Sequence, residues 1–364
     1  MSPIPVSGAT ILPPPATSHR ALRKILRSFP LGSAGGTSGL TPGHLLQLSG
    51  CAGFYGWLGD EVTLFTSGRM PEHARAFRFG AREAPFLKKG GGIRPVAAGD
   101  TLRRIAAKVL VGLVSRAAAE HLSDVGQAGV GVRGGGEAMA CAFRRLVAAG
   151  ADDPTMATVK IDIRNAFNLV DRARLLALVG EHFPMLAGYA NAAYAAPTAL
   201  SFDGETIWSC RGVQQGDPLG PLLFSLVFRE VWRATEAAMA ARGLAPPPAR
   251  GSFLDDLIFS GTLEHSRAAL ECFVAAARDA GLELNVAKCE VICSDAAAAT
   301  AAFPGMRVLS PSAWTLLGIP CGDRDHAESF VSEALKRGAA KMHSLASLAD
   351  THVGFTLVRY CASY

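Results

Sequence analysis

Hydrophobic and polar positions alternate with a period of two at several points along the chain, and these points predict short strands. Ala157-Thr158-Val159-Lys160-Ile161-Asp162-Ile163 is one such run. Ser252-Phe253-Leu254-Asp255-Asp256-Leu257-Ile258-Phe259-Ser260 reads as two apolar arms around two adjacent acids, a tight β-hairpin with carboxylates at its turn. Phe86 to Val96 predicts another hairpin, with Lys88, Lys89 and three glycines at the bend, and Asp203-Gly204 marks a turn within the strand pair from Leu200 to Cys210. Helical spacing predicts helices at Ala21–Phe29, from an Asp100-Thr101 cap towards His121, at Arg172–His182, Met185–Ala195, Leu222–Met239 and Ser266–Ala280. A strand through Val291-Ile292 and a small element at Leu316–Ile319 follow. The order β-α-β-β-α-β predicts an α+β fold: an antiparallel sheet with helices on one face.

Composition narrows the class. The chain has 364 residues, 49% of them apolar and 18% charged, enough for a sizeable core and too apolar for wholesale disorder. Apolar runs fall short of the ~20 residues that span a bilayer, so no membrane partner is expected. No secretory signal is evident, and eight scattered cysteines suit a reducing, intracellular compartment, nucleus or cytoplasm being left open. Cys289 and Cys293 lack the further ligands of a zinc set. Net charge is +5, unevenly spread: residues 1–110 carry 14 Lys/Arg against 5 Asp/Glu, the remainder 22 against 26. A basic amino-terminal lobe joined to a more acidic body fits a protein that grips polyanions and holds cations.

The candidate chemistry lies in the acids. Asp162 ends one strand and Asp255-Asp256 occupy a hairpin turn 93 residues later. Carboxylates gathered at one sheet end repel, and a hard divalent cation with oxygen ligands is the usual remedy. Paired ions about 3.5–4 Å apart suit nucleotidyl transfer. The glycine pattern Gly129, Gly131, Gly134 lacks the strand–turn–helix setting of a dinucleotide site, and no Gly-Lys-Ser/Thr marks a phosphate loop.

Taken with Asp162-Ile163-Arg164-Asn165-Ala166-Phe167 and Phe253-Leu254-Asp255-Asp256, the chain resembles the reverse transcriptase family, most of all the polymerases of non-LTR retrotransposons, over roughly residues 30–325. Ser38-Gly39-Leu40, Arg94-Pro95-Val96 through Arg103-Arg104, Gln127–Glu137, Gln215-Gly216-Asp217-Pro218-Leu219-Gly220-Pro221, Gly281–Glu290 and Leu317-Gly318 are similar to the family's other motifs in the family's order. The resemblance implies a right-hand polymerase core. A lead of residues 1–19 precedes fingers (about 20–155 and 185–215) and palm (156–184 and 216–322), and the start of a helical thumb occupies 323–364.

It also implies roles. Asp162 and Asp255 hold two Mg2+ ions, with Mn2+ as the alternative, joined by the Ile163 carbonyl. Asp256 stands second, since neighbours on a strand point to opposite faces. Phe167 falls at the sugar gate that favours dNTPs, its alternative being a core ring. Gln215 and Gly216 line the incoming nucleotide, their alternative being a helix-entry turn. Arg94, assisted by Lys88 or Lys89, clamps the triphosphate, against the alternative of surface charges. Lys288 donates a proton to pyrophosphate or is a solvated lysine.

The implied partners are an RNA template, a DNA or RNA primer and dNTPs. Asn168 replaces the Asp common in relatives, and Leu254 replaces a common Ala. The 42 residues after Gly322 would build only the beginning of a thumb, and no endonuclease, ribonuclease H or zinc-knuckle segment is recognised. The chain therefore reads as a polymerase core cut out of a larger retroelement, or as a decayed copy, with a thumb or endonuclease domain on another chain as a candidate further partner. Two rival readings are an RNA-templated RNA polymerase, against which Phe167 argues, and a catalytically idle nucleic-acid-binding remnant.

Overall fold

In the computed structural model, residues 12–30, 32–87 and 92–359 are described. From the amino end, α1 (His19–Arg27), α2 (Pro42–Leu48), α3 (Phe54–Thr66) and α4 (Glu72–Arg78) precede β1 (Ala81–Leu87) and β2 (Ile93–Gly99). Then come α5 (Thr101–Leu122), α6 (Gly135–Ala149), β3 (Met156–Ile161), α7 (Ala166–Leu169), α8 (Arg172–His182), α9 (Ala187–Tyr194), β4 (Thr198–Phe202) and β5 (Glu205–Ser209). The carboxyl-terminal half holds α10 (Gly220–Ala241), β6 (Ala249–Phe253), β7 (Asp256–Thr262), α11 (Leu263–Asp279), β8 (Glu290–Ile292), α12 (Ala296–Ala302) and β9 (Arg307–Leu309). It ends with β10 (Thr315–Leu316), β11 (Ile319–Pro320), α13 (Arg324–Ala346) and α14 (Thr351–Leu357).

Local chemistry sets the ends of these elements. The Asp100 carboxylate accepts the Leu102 N–H at 3.0 Å and starts α5, and the Thr262 hydroxyl accepts the His265 N–H at 3.3 Å and starts α11. Asp203 and Gly204 both adopt positive φ, 48° and 83°, as a two-residue hairpin turn between β4 and β5 requires.

Two sheets organise the molecule. A four-stranded sheet has the order β2-β1-β4-β5, with β1 and β4 parallel and the other pairs antiparallel. A five-stranded sheet has the order β6-β7-β3-β8-β9, antiparallel except for β8 beside β9. Strict alternation along β3 and β7 splits the two faces of this sheet. Val159, Ile161, Leu257 and Phe259 face the main core with α10 and α11, where Trp232 and Phe273 pack. Ile258 and Ile292 face a smaller cluster built from Phe143 of α6, Trp314 and Leu316. The long helices thus cover one face, as expected, while α6 and the β10–β11 hairpin cap one end of the other. That second face needs a partial apolar lid because Ile258 and Ile292 would otherwise lie open to water.

The sequence pattern did not reveal α3, α4, α12 or the 23-residue α13. The last of these buries none of its residues, so it has no apolar stripe facing a core to read.

Candidate active site

Asp162 directly follows β3, on the face of Lys160 rather than that of Ile161. The pairing Ile161↔Leu257 places Asp162 one register step further, opposite Asp256, the first residue of β7. Asp255 precedes Asp256 in the turn that joins Phe253 to Asp256. All three carboxylates line one cleft of about 800 Å3. Their mutual influence is electrostatic as well as geometric. Burial pushes the Asp256 carboxyl up to about 6, and the charges of Asp255 and Asp162 push the same way, while Lys160 opposes them. Asp256 nevertheless keeps open access to the cleft. Asp255 sits in the turn and not on the strand, so the alternation expected to turn Asp256 to the opposite face does not apply, and Asp256 shares the face of Asp162.

The strand end is braced from the other side. Asp162 C=O accepts from Asn285 N–H at 2.9 Å, and Arg164 N–H donates to Glu283 C=O at 2.8 Å, flanking the bridge between Ile163 and Leu284. In that arrangement the Ile163 carbonyl points away from Leu284, towards the β6–β7 hairpin. Behind Asp162 the buried Cys289 sulfur accepts its N–H at 3.3 Å, and burial pushes that thiol up to about 11, so it stays neutral.

The opposite wall of the cleft is the loop before α10. Gly216 has φ +126°, and a Cβ there would lie 2.3 Å from the Ala97 carbonyl oxygen of β2. Only glycine allows this approach. The Gln215 carbonyl accepts from Ala97 N–H at 2.7 Å, which ties the loop to the four-stranded sheet, and the Gln215 amide donates to Asn168 at 2.7 Å. Phe167 also lines the cleft, its ring stacked on Phe224 with centroids 4.8 Å apart. Arg94 of β2 and Lys288, on a short turn after Asn285, complete the lining. Nine of the eleven residues singled out in the sequence thus meet in one space: Arg94, Asp162, Ile163, Phe167, Gln215, Gly216, Asp255, Asp256 and Lys288. Lys88 and Lys89 lie outside the described residues.

Beneath this loop is a buried polar network that sequence reasoning missed. Arg103, 1% exposed, pairs with Asp217 at 2.8 Å. It also donates to the Tyr189 hydroxyl at 3.1 Å, the Gln214 side chain at 2.6 Å and the Phe79 carbonyl. Tyr194 donates to Asp217 at 2.6 Å. Burial works against the guanidinium charge, but Tyr189 and Asp217 outweigh it and hold Arg103 firmly protonated. Burial raises both tyrosines, which stay neutral donors. A signal was present in the sequence: Ala106, Ala107 and Leu110, at i+3, i+4 and i+7 from Arg103, form the buried face of α5.

The donor set suits hard divalent cations. Carboxylates and a peptide carbonyl offer oxygen only; burial first, and then the neighbouring charges of Asp255 and Asp162, raise the Asp256 carboxyl, and a cation would offset the repulsion among the three. Among the described residues no group of three or more His, Cys, Asp or Glu forms a preassembled metal cage. A site that keeps few protein ligands and completes its shell with substrate phosphates is consistent with that.

Residues 86–321 match the model of the reverse transcriptase (RNA-dependent DNA polymerase) family. No curated protein matches the sequence. Among solved structures, telomerase from Candida albicans in complex with a fragment of telomeric RNA aligns at 11% identity and TM-score 0.48, over 70% of this chain and 46% of that one. The RNA-dependent RNA polymerase of BmCPV at its elongation state aligns at 13% identity and TM-score 0.49, over 75% of this chain and 25% of that one. An RNA polymerase complex inside a dsRNA virus gives 11% and 0.48, over 75% and 26%. The chain spans less than half the length of each of these structures. No helix among the described residues is long and apolar enough to cross a membrane.

Proposed function

The chain belongs to the reverse transcriptase (RNA-dependent DNA polymerase) family, and from that premise we propose that it extends a primer 3′-OH with dNTPs on an RNA template. The carrying observation is the convergence of Asp162, Asp255 and Asp256 with Arg94, Phe167, Gln215 and Gly216 in one cleft. In this reading the five-stranded sheet is the palm and the four-stranded sheet belongs to the fingers. The helices α13 and α14 begin a thumb, and the chain derives from a retroelement of the non-LTR type.

Asp162, Asp255 and the Ile163 carbonyl would hold two Mg2+ ions, with Asp256 alongside. Bound there, the ions supply positive charge that lowers the pKa of the attacking hydroxyl and offsets the charge of departing pyrophosphate. The protein's own groups do the rest. Arg94 reaches the triphosphate from β2, where a guanidinium fork matches phosphate oxygens. Gln215 and Gly216 present flat backbone to the incoming base pair, fixed by the Ala97 hydrogen bond. The Phe167 ring, held by Phe224, fills the space a ribose 2′-OH would need. Lys288 stands exposed at the cleft rim, able to give a proton to the leaving group.

Extension of oligo(dT) on poly(rA) by the purified protein with magnesium tests the reading. Incorporation of dTTP is the expected result. Binding without extension would favour an idle nucleic-acid-binding remnant, and preferential use of rUTP would favour an RNA polymerase.

A further inference from the structure

The turn that carries the hairpin acids is held by a side chain from a distant loop. Leu254 adopts φ +58°, in the left-handed region that leucine seldom enters. A two-residue hairpin needs such a φ, and glycine or asparagine meets the need most easily. Leu254 meets it under restraint. Gln127, 3% exposed, accepts the Leu254 N–H through Oε1 at 2.8 Å and donates from Nε2 to the Leu254 carbonyl at 3.1 Å. Only one orientation of the carboxamide satisfies both contacts, because the oxygen must face the N–H and the nitrogen the C=O. Oε1 also accepts from Gly129 N–H at 2.9 Å, which fixes the rotamer.

The loop around Gln127 is itself docked on β6. Ser252 N–H donates to the Gly126 carbonyl at 3.0 Å, and Ala128 N–H donates to the Ser252 carbonyl at 2.7 Å, a parallel bridge beside the hairpin. Gly129 permits the approach, since a Cβ there would lie 2.8 Å from the Leu254 nitrogen. One carboxamide therefore takes the place of a neighbouring strand at the residue immediately before Asp255.

We infer that Gln127 is a positioning residue: its carboxamide fixes the left-handed turn at Leu254 and so sets how Asp255 and Asp256 present their carboxylates beside Asp162. The catalytic consequence rests on the polymerase reading above; the clamp itself does not. Without the carboxamide the Leu254 peptide units can relax towards common φ values, which swings Asp255 about its own backbone. Displacements of about 1 Å at reacting groups cost roughly a hundredfold in rate.

Gln127→Met keeps the side-chain volume and removes all three carboxamide hydrogen bonds; Gln127→Ala is the second variant should packing matter. Hydrogen exchange at the Leu254 amide and single-turnover primer extension are read on the full chain with magnesium. The expected result for Gln127→Met is exchange at Leu254 faster by about tenfold or more, as for an amide released to local opening. Extension should slow by roughly ten- to a hundredfold, with half-saturating dNTP little changed and cooperative unfolding retained. Unchanged Leu254 protection overturns the clamp, and faster exchange with an unchanged extension rate overturns the positioning role. If the parent protein shows no extension, the polymerase reading fails, and the exchange measurement still decides the clamp.

Discussion

Phe167 joins packing to chemistry in a single side chain. Its ring stacks on Phe224 and also faces the cleft, so the sugar-gate role and the core role foreseen for it are compatible. Phe167→Ala should raise rNTP incorporation relative to dNTP by roughly tenfold or more, the scale on which one apolar contact discriminates substrates. Competition between dTTP and rUTP measures it, and unchanged sugar selectivity would reduce the ring to packing. At this scale the acids were legible because period-two runs on either side place them at strand ends. The Gln127 clamp was not legible, since a polar residue in a glycine-rich loop carries no periodicity that announces a buried partner 127 positions away.

Among the elements, the loop before α10 is the joint between the two sheets. Gly216 approaches the Ala97 carbonyl in a backbone conformation closed to other residues. Gly216→Ala should therefore cost roughly 1–3 kcal/mol of stability and weaken dNTP use. Chemical denaturation checks the first and the half-saturating dNTP concentration the second; a neutral substitution would show that the loop can detach from β2 without consequence. Below the loop, Arg103 and Asp217 form a buried pair. Arg103→Met leaves a buried carboxylate without its cation and should cost about 3–5 kcal/mol, whereas Arg103→Met with Asp217→Leu should recover much of the loss. A double-mutant cycle of unfolding free energies reads the coupling, and additive losses would refute it. Four strands of the five-stranded sheet, β3, β6, β7 and β8, were readable because alternation survives where a face meets the core; the three-residue edge strand β9 was not. The helix α13 was not, because it buries none of its residues fully and so shows no apolar stripe. The Arg103 network was missed because a lone arginine in a helix ordinarily reads as surface charge, although the apolar residues at i+3, i+4 and i+7 mark its face as buried.

For the whole molecule, the proposed function makes charge distribution the determinant of the encounter with nucleic acid. The excess of cations in residues 1–110, +9 against −4 beyond, predicts binding dominated by phosphate contacts. Affinity for an RNA–DNA duplex should fall by about a thousandfold between 50 and 200 mM salt, as read by fluorescence anisotropy; salt-insensitive binding would argue against a polyanion as the principal ligand. On the proposed function Asp162 and Asp255 act together on a primer terminus, and single-turnover extension by the parent chain, Asp162→Asn and Asp255→Asn tests this. Each substitution should cut the rate by roughly a thousandfold or more, the scale of removing one preorganised charge, with duplex binding intact. Extension that survives either substitution would rule out a shared role for the two carboxylates at the primer terminus.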